Sequence, residues 1–151
     1  MREIMNRLNE DQQFYYHGSY EDLPVGTVLT PRENYEENWQ HTDFYHALEK
    51  YRPNNMLAHK DAVFLCDNPE DIDVAGGATD YLLTVIPHQR IERHDLNWGS
   101  EISGLISDGY DIDSPEVKSA AQNYWNGIPS ENEVVWEYLT PSATIVKSEE
   151  Y

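Results

Sequence analysis

The residues of this chain best suited to chemistry stand together near its start, in Tyr15-Tyr16-His17-Gly18-Ser19. An aromatic pair runs straight into a histidine, and the Gly-Ser step after it frees the backbone. Glycine directly after a histidine at the end of a short strand lets a flat ligand lie close against bare main chain. One imidazole nitrogen can hold that ligand while a neighbour fixes the other. The same residues also read as a strand end with a structural histidine. Other reactive side chains point to less. Asp67, Glu70, Asp71 and Asp73 crowd one tract, but without the glycine and closing glutamate of a calcium loop, so they read as charge at a helix N-terminus. His41 and His46 lie five apart, and neither pairs with Cys66 at a zinc-ligand spacing, so no metal is expected. Cys66, the only cysteine, sits in an apolar run and reads as packing rather than as a nucleophile.

The elements that must position these groups are short. Met1 to Gln13 is weakly helical by the spacing of Ile4, Met5 and Leu8. Phe14 to His17 reads as a strand, Leu23-Pro24-Val25-Gly26 as a turn, and Thr27 to Leu29 as a second strand. Pro31 to Gln40 is polar, acidic and aperiodic, and is expected to be a loop carrying Tyr35 and Trp39. Thr42 caps a helix through Tyr51, with Phe44, Leu48 and Tyr51 on one face. Ala62 to Cys66 is a buried strand, and Asp67-Asn68-Pro69-Glu70 opens a short helix that Gly76-Gly77 closes. Tyr81 to Ile86 is a further buried strand, and Arg90 to His94 an edge strand. Helices are expected over Trp98 to Ser107 and Ser114 to Trp125, then strands over Glu133 to Leu139 and Ala143 to Lys147. Short strands with helices inserted unevenly between them indicate an α+β fold. No repeat or linker interrupts the 151 residues, which read as a single domain, 1–151.

Composition narrows the partners. Ten Lys and Arg against 28 Asp and Glu give a formal charge of -18. Such a surface repels phosphates and anionic membranes, so neither direct nucleic-acid nor membrane binding is expected. It favours basic partners, including proteins whose own task is to hold nucleic acid. A single cysteine permits no internal disulfide, which suits a reducing cytoplasm, and no signal-like or membrane-length apolar run is present. Eleven Tyr and four Trp imply an aromatic-rich core whose hydroxyls and indole nitrogens need partners.

Three ordered blocks carry a resemblance. Tyr16-His17-Gly18-Ser19 with Leu23-Pro24-Val25-Gly26 and Leu29-Thr30-Pro31 resembles the opening of the rifampicin ADP-ribosyltransferases. The strand and short helix of Ala62 to Gly77, and the strand Tyr81 to Pro87, resemble that family's next landmarks. The likeness runs over roughly residues 14 to 97. It implies a split pair of small sheets, a split β-sandwich, with the nicotinamide end of NAD clamped between them. Residue by residue, it implies that His17 holds the nicotinamide-side ribose or amide, with Tyr16, Gly18 and Ser19 beside it. Phe64 stands where the family has a tyrosine against the nicotinamide ring, keeping the aromatic face and losing the hydroxyl. Tyr81 opens the third block. Asp95 falls near the family's catalytic aspartate, whereas Glu137 falls where the wider superfamily keeps a glutamate on a late strand. The acidic, Tyr- and Trp-rich, compact character also resembles phage early proteins, which implies a host cytoplasm.

The chemistry implied is cleavage of NAD at its glycosidic bond, through a state with positive charge growing on the ribose. A fixed carboxylate beside that sugar stabilises the charge, and the histidine orients the leaving nicotinamide. Arg32, Arg90 and Arg93 are the groups available for the pyrophosphate, with Lys60 less well placed. Both acids have a plain alternative: Glu137 between Trp136 and Tyr138 alternates onto a solvated strand face, and Asp95 caps the following helix. Two functions therefore stand. One is an NAD-dependent mono-ADP-ribosyltransferase acting on a host macromolecule or a small hydroxylated compound. The other is an inactive protein of the same fold whose acidic face binds and inhibits a basic host protein.

Overall fold

The computed structural model describes residues 13–73 and 78–151, and the fold is α+β. The helix expected before Gln13 and the Gly76-Gly77 stop lie outside the described residues. Among the described residues seven strands run β1 Tyr15–Ser19, β2 Val28–Leu29, β3 Val63–Leu65, β4 Tyr81–Pro87, β5 Glu92–Asp95, β6 Trp136–Thr140 and β7 Ala143–Glu150. The α-helices are α1 Tyr35–Trp39, α2 Asp43–Tyr51, α3 Leu96–Ser107 and α4 Pro115–Trp125. The strands form two antiparallel sheets, one ordered β1-β4-β7-β2 and the other β3-β6-β5. One bridge joins them: Tyr16 N–H donates to the Cys66 carbonyl at 2.8 Å and Cys66 N–H returns to Tyr16 at 3.0 Å.

The alternation of side chains along each strand sets up three layers. Val63, Leu65 and Tyr138 face the larger sheet, where they pack with Tyr15, Leu83, Val85 and Ile145. Leu139 and the half-buried Phe64 turn the other way, onto Leu48, Ile102, Val117, Ala121 and Trp125 from the helices. The small sheet is therefore covered on both faces, and β6 reads buried from Glu137 through Thr140. A strand covered on both sides loses the inside-outside alternation from which a solvated Glu137 is expected.

Local signals explain the helix starts. The Thr42 side chain accepts from Tyr45 N–H, Ser114 accepts from Val117 N–H, and Pro115 fills the first turn of α4. Asp95 caps α3, which begins at Leu96, two residues ahead of the expected start. The expected loop from Pro31 to Gln40 instead contains α1. This five-residue helix has no side-chain cap and buries no residue completely. Its sequence spacing still matters, because Tyr35 and Trp39 lie one turn apart and stack with centroids 6.2 Å apart. An acidic helix this short is held by packing, not by propensity.

Gly18 is the tightest point of the fold around the site. A Cβ there would lie 2.0 Å from the Ala78 carbonyl oxygen. Gly18→Ala should therefore cost about 1–3 kcal/mol, as overpacking against backbone does. Urea denaturation of the purified variant checks this; wild-type stability would mean that the segment at Ala78 moves aside freely.

Candidate functional site

Where β1 meets β3, a cavity of about 320 Å³ opens between the strands and the helical layer. Tyr16, His17 and Gly18 line it from β1, Phe64 and Cys66 from the β3 side, and Tyr124 and Glu137 from α4 and β6. Tyr35 and Trp39 form its aromatic rim, with Tyr35 stacked on Phe64 at 5.8 Å between centroids. Trp39 remains 42% exposed, so this wall is open to solvent at its edge.

Glu137, which the resemblance sets among the site residues and strand alternation sets in solvent, lines the cavity. Only 5% exposed, it sits on the helix-facing side of β6 and accepts the Tyr124 hydroxyl proton at 2.9 Å. Burial pushes its carboxyl up from 4.5 to about 7, against the opposing pull of that hydrogen bond. No other donor reaches it among the described residues. Beyond Tyr124, His59 Nε2 lies 2.8 Å from the tyrosine oxygen, and Tyr35 Oη lies 3.1 Å from His59 Nδ1. Burial holds His59 far below its ordinary range, at about 3, with His94 and Arg52 adding to the effect, so its ring is neutral. Packing fixes this row of polar groups: His94 stacks on Tyr124 at 4.5 Å, and Trp125 stands edge-on to both.

Opposite the acid, His17 Nδ1 donates to the Phe64 carbonyl at 2.8 Å. A carbonyl only accepts, so the proton is on Nδ1 and Nε2 of the neutral ring is an acceptor. Burial lowers the pKa of His17, which favours that neutral form. Arg32 lines the same cavity, and no ion pair engages it among the described residues. Cys66 lines the wall too, but burial pushes its thiol up to about 12 and its Sγ–H donates to the Asn68 carbonyl, so it is a packed thiol and no nucleophile.

The other residues singled out from sequence lie elsewhere. Asp95 is fully buried and spent on structure: its carboxylate accepts from Asn97 N–H, the Asn97 side chain, Ser130 N–H and Val135 N–H. Those donors outweigh desolvation and lower its pKa. It is a helix cap outside the cavity lining. Ser19 turns its hydroxyl to the Glu21 carbonyl, and Tyr81 pairs across β1 with Ser19; neither lines the cavity. Arg90 pairs with Glu92 and bonds the Asn55 carbonyl, Arg93 lies 3.9 Å over the Trp136 ring, and Lys60 pairs with Glu36. Of the four cations considered for a pyrophosphate, only Arg32 reaches the cavity. His59, Tyr124 and the hydroxyl of Tyr35 are the additions that sequence reasoning missed. Their one outward sign is the excess of tyrosine in a chain that has to satisfy buried hydroxyls.

The raised Glu137 carboxyl has a consequence for stability. Between pH 4.5 and about 7 the folded protein keeps a proton that the unfolded chain has released, so this group weakens folding progressively as pH rises. The penalty is fully present above the folded pKa and absent below the unfolded one. Glu137→Gln should therefore be more stable than wild type by on the order of 3 kcal/mol near pH 8, and nearly equal to it near pH 4. Urea unfolding of both proteins across that range reads the difference, and a constant offset would mean that the carboxyl is not perturbed. No protein-family model matches this chain and no curated protein matches it in sequence, so the chemistry of the cavity is what speaks for its function.

Proposed function

We propose that this chain is an NAD-dependent mono-ADP-ribosyltransferase, built as a single domain of the ADP-ribosyltransferase-like split β-sandwich type. The observation that carries the reading is one juxtaposition: a buried carboxylate, Glu137, opens on the same cavity as His17, whose ring is pinned by the Phe64 carbonyl. Two small antiparallel sheets touching at one bridge, with the cavity beside that bridge, also favour it.

In this reading the nicotinamide ring lies against Phe64 and Tyr35; the side-chain position that Gly18 leaves free is taken by the Ala78 backbone, so the glycine serves the packing of the segment beside the cavity and not the ligand. His17 Nε2 accepts a hydroxyl of the attached ribose, and Arg32 meets the pyrophosphate at the opening. As the bond from ribose to nicotinamide lengthens, positive charge grows on the sugar, and ionised Glu137 stabilises it in a water-poor site. The acceptor's hydroxyl or amine then adds to the same carbon and loses its proton. Near neutral pH the acid is divided between its two forms, so turnover should rise with pH through about 7.

Calorimetry with millimolar NAD should give binding heat that His17→Ala loses. Glu137→Gln should keep the binding and lose on the order of 10²-fold or more in transfer or hydrolysis, because developing charge exists only in the transition state. Asp95→Asn should keep turnover and lose about 1–2 kcal/mol of stability, as a weakened cap does. Absence of NAD binding by the wild type would end this reading.

A second reading, an acidic protein that occupies a basic host protein, draws on the -18 charge. Ten Lys and Arg stand against 28 Asp and Glu, so the charge of most of the acids is left uncompensated whatever ion pairs form. A complex made this way should weaken steeply between low and moderate salt in a titration against a basic protein. Binding indifferent to salt would remove the charge from the explanation.

A further inference from the structure

We propose that Tyr124 and His59 are positioning residues for Glu137, and that Tyr35, at the cavity rim, sets the direction of the hydrogen bonds that reach the acid. The inference deepens the reading above, because it takes Glu137 as the working acid of the cavity. Its basis is the unbroken row Tyr35 Oη, His59, Tyr124 Oη, Glu137 Oε2, with separations of 3.1, 2.8 and 2.9 Å.

The direction follows from what each group can do. An ionised carboxylate only accepts, so Tyr124 must spend its one O–H on Glu137. The Tyr124 oxygen then accepts from His59, which places the imidazole proton on Nε2. A neutral ring carries only one such proton, so Nδ1 is a lone pair and Tyr35 must donate to it. With the ring held in that tautomer, Nε2 cannot compete for the Tyr124 proton. Remove the Tyr35 hydroxyl and the hold is gone: the proton can move to Nδ1, Nε2 becomes an acceptor, and Tyr124 divides its O–H between His59 and Glu137. Tyr35 thus acts on an acid it does not touch, through two intermediaries.

Such a row does more here than satisfy buried polar groups. All of its members line the one cavity, and its far end, Tyr35, belongs to the short helix at the opening. The other titratable or charged groups facing the acid and its partners are His94 on β5, opposite Glu137 in register and stacked on Tyr124, Glu92 on the same strand toward Tyr124, His17 across the cavity, Arg32 at its edge, Arg52 toward His59, and Tyr45 and Glu49 on α2 toward Tyr35. None of these is altered by Tyr35→Phe or Tyr124→Phe.

The test is the titration of the Glu137 carboxyl itself, followed by carbon NMR on glutamate-labelled protein and assigned by loss of the signal in Glu137→Gln. Tyr124→Phe should raise the midpoint by about one unit, the worth of one hydrogen bond to a charged group. Tyr35→Phe should raise it in the same direction, roughly half as far, while the Tyr124 ring and hydroxyl remain in place. The pH profile of NAD turnover should move upward in the same order, with KM for NAD changed less than kcat. An unmoved Glu137 midpoint in Tyr35→Phe overturns the proposal, even if turnover falls. A shifted midpoint with no NAD turnover in any variant supports the relay and counts against the transferase reading alone. Tyr35→Phe keeps the ring that stacks on Phe64 and sits at the half-buried rim, so it stays informative should Tyr124→Phe fold poorly.

Discussion

A carboxylate buried on the central strand of the small sheet is the constraint around which this protein is built. Taking such a group out of water costs several kcal/mol unless something donates to it. Here a single tyrosine hydroxyl does so, from the last turn of the helix that packs on the sheet. To place that hydroxyl, Tyr124 is enclosed by Trp125, His94 and His59, and α4 is fastened through Trp125 Nε1–H to the Leu48 carbonyl on α2. The helical layer, the small sheet and the cavity are thus tied to one polar contact, incompletely compensated. A protein with only folding to serve would do better with leucine at that position.

The two sheets have different tasks. The larger one, with β4 and β7 as its long central strands, carries β1 and hence His17. The smaller carries Phe64 and Glu137, and the pair of hydrogen bonds between Tyr16 and Cys66 fixes how far apart these groups stand. His17 then reaches across the junction to the Phe64 carbonyl, so the histidine that faces the cavity is also one of the fasteners of the two sheets. Aromatic rings line much of the space that remains, with the exposed edge of Trp39 at its rim.

Much of this was legible in the residues and some was not. The strands, the capping by Thr42 and Ser114, the buried Cys66 and the turn after His17 all follow from local chemistry. Asp95 carried two readings, a helix cap and the acid that the resemblance implies; local chemistry accounts for the first, and that is its place in the structure. Glu137 is not accounted for in that way. Flanked by Trp136 and Tyr138 it alternates like a surface acid, and only the tertiary fact that helices cover that face buries it. His59 stands between helix α2 and strand β3 in a stretch with no periodicity, and its partner Tyr124 is 65 residues away, so no local pattern connects them. The helix of Tyr35 and Trp39 was hidden by its acidic composition. The spacing of its two aromatics, one turn apart, was the available sign.

That five-residue helix serves both ends of the site at once. It supplies the stacked rings over the opening and, through Tyr35, the first donor of the row that ends on the buried acid. Entry of a molecule and the proton affinity of the acid are then linked quantities, and linkage works both ways. Whatever draws Tyr35 away from His59 makes the carboxyl hold its proton more tightly, and protonation of the carboxyl weakens the preference that keeps Tyr35 in place. An occupied cavity with the ring seated over it is therefore also the state in which the acid is most readily ionised. A molecule that lifted the ring would favour the protonated acid, and one that seated it the ionised acid.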